Sequence, residues 1–430
     1  MGGSLARHLV GERELVVYDR DPATLASFET LGARIANTPR ELARQCDVVL
    51  LCLPRSSDVG DLLFGVDGIA EHLGTGTLVI DQTSGVPSMT TEFARRLDER
   101  NVLFLDAPVS GGIAAAQSRS VTIIASGPDA AWERGGTILA ELSTKTLRCG
   151  RRVGDGQALK LVTNAIGACY RLSTLELVAL GRKFGLTLPD IVSGLNEGNG
   201  ANFTSRNMLV GLVEGRSTTN FAMALMVKDL NGALDLGTGL CAAMPLTAAA
   251  RGLMQSAISL FGQQARLDDV IGLTETLSSV RLAGGGPQMS VALPASLTPA
   301  DLTDILGRSA AACNVIAVME GVEIARKFGL PVADIARVID SGSAWCQIAS
   351  PLLSAIAAGG PALRDYEAER QALETAALLA ATANLPFIMP ATVLSRWRDM
   401  QASPVALQPD IDRSPNISRD GAIISPMASQ

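Results

Sequence analysis

Lys160 and Asn164 stand one helical turn apart in the stretch GQALKLVTN, residues 156–164. At i and i+4 both side chains leave the same face of a helix. A lysine partly buried where such a helix meets an α/β unit can give or take a proton, and the asparagine beside it can orient a substrate. A solvated lysine on an amphipathic helix is the plainer alternative. Upstream, Asp106-Ala107-Pro108-Val109-Ser110-Gly111-Gly112 directly follows a strand. Its proline sets the exit of the chain, and its two glycines permit close backbone approach to a small anion. Ser110 and the adjacent N–H groups suit a carboxylate, although an ordinary glycine turn has the same composition. Asp19 closes a β-branched run, where a carboxylate can accept hydrogen bonds from a ribose diol. Thr83 and Ser84 follow another strand at the edge where α/β proteins bind ligands, and residues of this type also cap helices. Lys228-Asp229 falls in a helical segment and reads equally as an exposed charged turn.

The elements that must position these residues begin with short apolar runs at 14–20 (ELVVYDR), 47–53 (DVVLLCL), 77–80 (TLVI), 102–105 (VLFL) and 122–125 (TIIA). Helix-compatible stretches separate most of them, and residues 1–11 read as helix. Such alternation predicts a doubly wound parallel α/β sheet over 1–150. From about residue 154, Leu161, Ala165, Ala168, Leu172, Leu175 and Ala179 trace one helical stripe. No convincing strand follows, so the remainder reads all-α.

GRKFGLTLPDIV at 181–192 recurs as ARKFGLPVADIA at 325–336, a shift of 144 residues that also pairs Cys169 with Cys313, Glu176 with Glu320 and Gly198 with Gly342. At that shift Lys160 and Asn164 become Asp304 and Arg308. With a register one residue longer, Met244-Pro245 meets Met389-Pro390 and Lys228-Asp229 meets Leu373-Glu374. Packing residues repeat and the polar pair does not, which fits a functional pair laid on a structural unit. Recurrence of Glu176 as Glu320 argues for a structural role. The expected organisation is an α/β domain over 1–150, a helical domain over 151–280, a Gly/Pro/Ser-rich linker over 281–298, a second, degenerate helical copy over 299–403 and a flexible tail over 404–430.

The chain has 430 residues with 36 Lys+Arg against 43 Asp+Glu, a net charge of −7 that argues against a nucleic-acid partner. No apolar run approaches the ~18–20 residues of a membrane span, so no membrane partner is expected. Seven cysteines without a CxxC pair suggest neither a disulfide framework nor a zinc site. A cytoplasmic setting is the plain expectation. With only His8 and His72, histidine-driven chemistry starts at a disadvantage.

Together these pieces resemble the 3-hydroxyisobutyrate dehydrogenase (β-hydroxyacid dehydrogenase) family. The match rests on Met1-Gly2, Val17-Tyr18-Asp19-Arg20, Leu53-Pro54, Asp81-Gln82-Thr83-Ser84, DAPVSGG at 106–112, GQALKLVTN at 156–164 and Lys228-Asp229, and it covers roughly residues 1–275. The resemblance implies a Rossmann-type NAD(P)-binding domain followed by a helical domain whose first long helix presents a catalytic Lys160. It further implies that Ser110, Gly111 and Gly112 bind the substrate carboxylate, with Asn164 as the substrate-binding neighbour of the lysine. Gly2, Asp19, Arg20, Leu53, Pro54, Asp58, Thr83, Ser84 and Lys228 would line NAD or NADP. Hydride would pass between nicotinamide and a small hydroxyacid of the 3-hydroxyisobutyrate or tartronate-semialdehyde type, with no metal required. Asp19 favours NAD because a carboxylate repels a 2′-phosphate, whereas Arg20 can bind one.

Three features depart from the family pattern. The family opens with a strand and a GxGxMG loop, whereas this chain starts at the Met-Gly, so the expectation is a missing first strand and a start site placed too late. Arg119 stands where the family has glycine seven residues beyond the Ser-Gly-Gly turn. A second helical copy follows the first, as 6-phosphogluconate dehydrogenases also carry a duplicated helical unit. The copies are expected to form a monomeric pseudo-dimer, or else the chain is a homodimer. The competing reading is a non-catalytic binding or assembly protein of this descent that has lost its pyrophosphate loop.

Overall fold

The computed structural model describes residues 1–284, 291–359 and 363–402; the expected tail over 404–430 and positions 285–290 of the expected linker lie outside them. The chain divides into two compact units, residues 1–161 and residues from 162 onward, and the division falls inside one continuous helix, Asp155–Lys183.

The first unit is built on short, mostly parallel strands. β1 (Val16–Val17) pairs with β2 (Arg34–Ile35); β3 (Val48–Leu51), β4 (Leu78–Asp81) and β5 (Leu103–Asp106) form a parallel sheet in that order. β6 (Val109–Ser110) runs antiparallel to β7 (Thr122–Ala125), which pairs in parallel with β8 (Lys145–Arg148). Alternate side chains of the central strands go to opposite faces. Val49, Leu51, Val79 and Phe104 pack with Val59, Leu63, Phe93 and Leu97, whereas Leu78, Ile80 and Leu105 pack with Ile138, Leu139 and Leu142. Burial on both faces is why these strands read as unbroken apolar runs.

Several elements depart from the sequence-based expectation. The run at 14–20 contributes only two strand residues, and residues 1–11 split into the helix Gly2–Ala6 and a 3-10 turn, Arg7–Leu9. β2, β6 and β8 carry no apolar run long enough to announce them; β8, for example, is the half-exposed KTLR.

Among the described residues the second unit has helices and no named strand. Helix Pro299–Lys327 starts 144 residues after Asp155–Lys183, and both are 29 residues long. Leu188–Glu197 and Val332–Ser341 repeat the same offset at 10 residues each. The segments on either side of this offset fasten to one another reciprocally. Asn202 and Cys346 form an isolated antiparallel bridge, with Phe203 N–H donating to Trp345 O and Gln347 N–H to Ala201 O, each at 2.9 Å. Tyr170 donates its hydroxyl to Cys346 Sγ at 3.1 Å, and Asn202 Nδ2 donates to Asn314 Oδ1 at 3.0 Å. The structural role expected of the recurring glutamates takes a definite form here. Buried Glu320 accepts from Leu246 N, Thr247 N and Thr247 Oγ1 at 3.0, 2.9 and 2.6 Å, closing the start of helix Pro245–Phe261. Glu176 accepts from Met389 N at 3.0 Å at the start of helix Ile388–Ala402.

One correction concerns membranes. By length and composition, Pro299–Lys327 is apolar enough to cross a bilayer, which the sequence reading did not single out; 83% of its most apolar window is buried inside the protein, the profile of a core helix.

Candidate active site

In the first unit, the expected cofactor-lining residues gather at the carboxyl ends of β3 and β4. Leu53 and Pro54 continue β3, and Thr83 Oγ1 accepts from Leu53 N at 3.0 Å, tying the two strand ends together. The N-cap reading of Thr83 and Ser84 is not realised: Val86 occupies the N-cap of the next helix, Pro87–Asp98. Gly2 opens its helix against β3, where a Cβ would lie 3.0 Å from Cys52 Cβ, so the backbone approaches the strand end closely. Asp58 sits half-buried in the first turn of helix Ser56–Phe64. Asp19 and Arg20 are exposed beyond β1, and Asp19 Oδ1 accepts from Asp21 N at 2.9 Å.

Ser110 ends β6 and is buried, whereas Gly111 and Gly112 are exposed. Gly111 needs to be glycine: its φ is 135°, and a Cβ would press on Val121 Cγ1 at 3.1 Å. Arg119, the departure from the family pattern, has φ 56°, the left-handed conformation that glycine adopts most easily.

The residues that hold the lysine helix in place went unnoticed in the sequence. Asp106 is fully buried at the end of β5; its Oδ1 accepts from Ser126 Oγ at 2.6 Å and Gly154 N at 2.9 Å, and its Oδ2 accepts from Gln157 N at 3.0 Å. Burial pushes this carboxyl up to about 7, opposed by those three hydrogen bonds. Ser126 Oγ in turn accepts from Gly156 N at 2.7 Å. Gln157 reaches the β4 end, accepting from Gly85 N and donating to Thr83 O, both at 2.7 Å. Gly156 makes the approach possible, since a Cβ there would come within 2.4 Å of Ile124 O. The first turn of Asp155–Lys183 is therefore pinned to the ends of β4, β5 and β7. Lys160, next on that helix, is only 6% exposed. Asp106 opens the DAPVSGG motif and Gln157 lies in GQALK, so motif membership was the available signal.

In the second unit, Asn164 follows four residues later on the same unbroken helix and is buried. Its Nδ2 donates to Asp229 Oδ2 at 2.7 Å, and Asp229 Oδ1 lies 3.1 Å from Lys228 Nζ. Lys228 and Asp229 belong to helix Met223–Gly239, and Asp229 is 1% exposed, so the charged-turn reading of this dipeptide fails. Asn164 and Lys228 are thus brought together through a carboxylate that sequence reasoning had not placed in the site.

Comparison with known proteins places the chain in a family. The model of the NAD-binding domain of 6-phosphogluconate dehydrogenase matches residues 1–150, and that of the NAD-binding domain of NADP-dependent 3-hydroxyisobutyrate dehydrogenase matches 154–274. Mitochondrial 3-hydroxyisobutyrate dehydrogenase of Rattus norvegicus is 30% identical over 246 residues, 55% of this chain and 73% of that protein. L-threonate dehydrogenase of Cupriavidus necator is 31% identical over 239 residues, 56% of this chain and 80% of the relative. Plasmodium falciparum 6-phosphogluconate dehydrogenase, at 14% identity, shares the fold with a TM-score of 0.69 over 94% of this chain and 91% of its own. By these matches the chain belongs to the 3-hydroxyisobutyrate dehydrogenase family and is an NAD(P)-dependent hydroxyacid dehydrogenase with a Rossmann-type domain followed by helices.

Proposed function

We propose that the enzyme interconverts a small β-hydroxyacid, of the 3-hydroxyisobutyrate or tartronate-semialdehyde type, and its carbonyl form, with Lys160 as general acid/base. The observation that carries this reading is the clamp on its helix: Asp106, Ser126 and Gln157 fix the first turn to the strand ends while Lys160 stays nearly buried. A proton-transfer group needs that fixity, because both partners must meet in a near-attack geometry.

In this reading Ser110, Gly111 and Gly112 receive the substrate carboxylate, and Asn164 orients the hydroxyl whose proton Lys160 takes or returns. The carboxyl ends of β3 and β4 fit a dinucleotide, with Gly2 allowing close backbone approach and Thr83 bracing Leu53. Pro54, Asp58, Ser84 and Lys228 complete the cofactor set, and Asp19 with Arg20 faces the ribose. When bound, NAD(P) supplies the hydride acceptor or donor. The exposed Asp19 supports NAD over NADP.

The reciprocal fastening at Asn202–Cys346, Glu176 and Glu320 supports reading the second helical stretch as an internal partner, giving a monomeric pseudo-dimer. All seven cysteines are free, which supports a reducing, cytoplasmic setting. The non-catalytic alternative is disfavoured by its need to explain a clamped, nearly buried lysine. The test is turnover of 3-hydroxyisobutyrate, D-glycerate and L-threonate with each cofactor, in the parent chain and in Lys160→Ala. Binding retained with turnover lost supports the proposal; unchanged turnover in Lys160→Ala refutes it.

A further inference from the structure

A buried carboxylate needs a reason to be where it is, because removing it from water is costly unless partners compensate. Asp229 has two. One oxygen receives the Asn164 amide at 2.7 Å and the other faces Lys228 Nζ at 3.1 Å. The two partners come from different helices, 65 residues apart in sequence for the Asn164 contact.

The chemistry of that contact has a direction. The carboxylate oxygen accepts and the Nδ2 end of the Asn164 amide donates. The acceptor Oδ1 is thereby turned the other way. An asparagine without such a neighbour can flip and offer either a donor or an acceptor. Next to Asp229 it offers one polarity.

We propose that Asp229 is a positioning residue: by holding Asn164 Nδ2 it fixes the amide so that Oδ1 serves as acceptor for the substrate hydroxyl. The proposal rests on the reading of Lys160 and Asn164 given above. An Asp229 that merely joined two helices would affect stability, not the polarity of Asn164.

The experiment uses the full chain and whichever of 3-hydroxyisobutyrate, D-glycerate and L-threonate the parent oxidises fastest. Asp229→Asn keeps the side-chain volume but offers an amide to an amide, so the fixed polarity is lost. Its kcat is expected to fall about tenfold to a hundredfold, as for other small misplacements near a reacting group. The loss must act through Asn164. Asn164→Ala combined with Asp229→Asn is therefore expected to be no slower than Asn164→Ala alone. Asp229→Ala, followed by thermal melting, separates any folding cost from the kinetic one. A kcat for Asp229→Asn within about twofold of the parent, or losses that multiply in the double variant, overturns the proposal. Parent-like turnover by Lys160→Ala, or no turnover of any of the three acids by the parent, overturns the underlying site reading instead. A dead Lys160→Ala together with multiplying losses removes only the role given to Asp229.

Discussion

The two long helices that start 144 residues apart, Asp155–Lys183 and Pro299–Lys327, share length and a capping glutamate but differ in what they display. The first carries nearly buried Lys160 and buried Asn164, the latter tied to Asp229. At the matching places the second has Asp304 and Arg308, an exposed i, i+4 ion pair at 2.7 Å. Where Asp229 stands in the first stretch, the second has buried Leu373 or partly exposed Glu374, which pairs with Arg370 at 2.6 Å. Packing demands are met twice; the polar cluster is built once. Residues under the constraint of burial stay alike, while exposed positions carry the solvent-facing charge pairs typical of helix surfaces.

The sharpest way to break this contrast is substitution at the matched positions. Lys160→Ala is expected to lower turnover by about 10²–10⁴-fold, the usual contribution of a positioned acid/base, with cofactor binding kept as read by nicotinamide fluorescence. If Asp304→Ala costs activity comparably, the two helices are not functionally distinct.

Next in size is the pair of capping glutamates. Glu320→Ala strands two backbone N–H groups and a hydroxyl in the interior and is expected to cost roughly 3 kcal/mol or more in denaturant unfolding. Glu176→Ala, with fewer polar partners across the interface, is expected to cost less; the reverse order would show that the two caps are not equivalent in kind.

A smaller effect concerns pH. Burial pushes Glu176 up to about 8 from its usual 4.5, against the pull of the Met389 and Ile388 N–H groups. Between those values the folded protein holds a proton that the unfolded chain releases, so the contribution of Glu176 to stability is full below the lower value and is lost as pH rises through the upper one. The parent's melting temperature is therefore expected to fall more steeply than that of Glu176→Gln between about pH 5 and pH 9. Parallel curves would place the titration elsewhere. Smallest of all, Asp304→Ala is expected to leave the melting temperature unchanged, because its ion pair is solvent-exposed.

What was legible in the sequence follows the same division. β3, β4, β5 and β7 announce themselves because both of their faces are buried, and the long helices because their apolar stripe persists for many turns. β8 stays hidden because a half-exposed KTLR has no such pattern. Lys160, Asn164 and the Ser110-Gly111-Gly112 turn stand out through motif spacing. Asp106, Gln157 and the role of Asp229 do not, since each depends on a distant partner, Gly154, Thr83 and Asn164 respectively, 48 to 74 residues away. Arg119 was visible as a departure, but only its φ of 56° shows that the chain keeps the glycine-like bend without the glycine.

The crossed fastening of the helical unit ties one polypeptide to itself. Separate subunits part company once their concentration drops below the dissociation constant. Here the Tyr170–Cys346, Asn202–Asn314 and glutamate contacts join stretches of one polypeptide, so each closes as an intramolecular step whose effective concentration is set by the connecting chain.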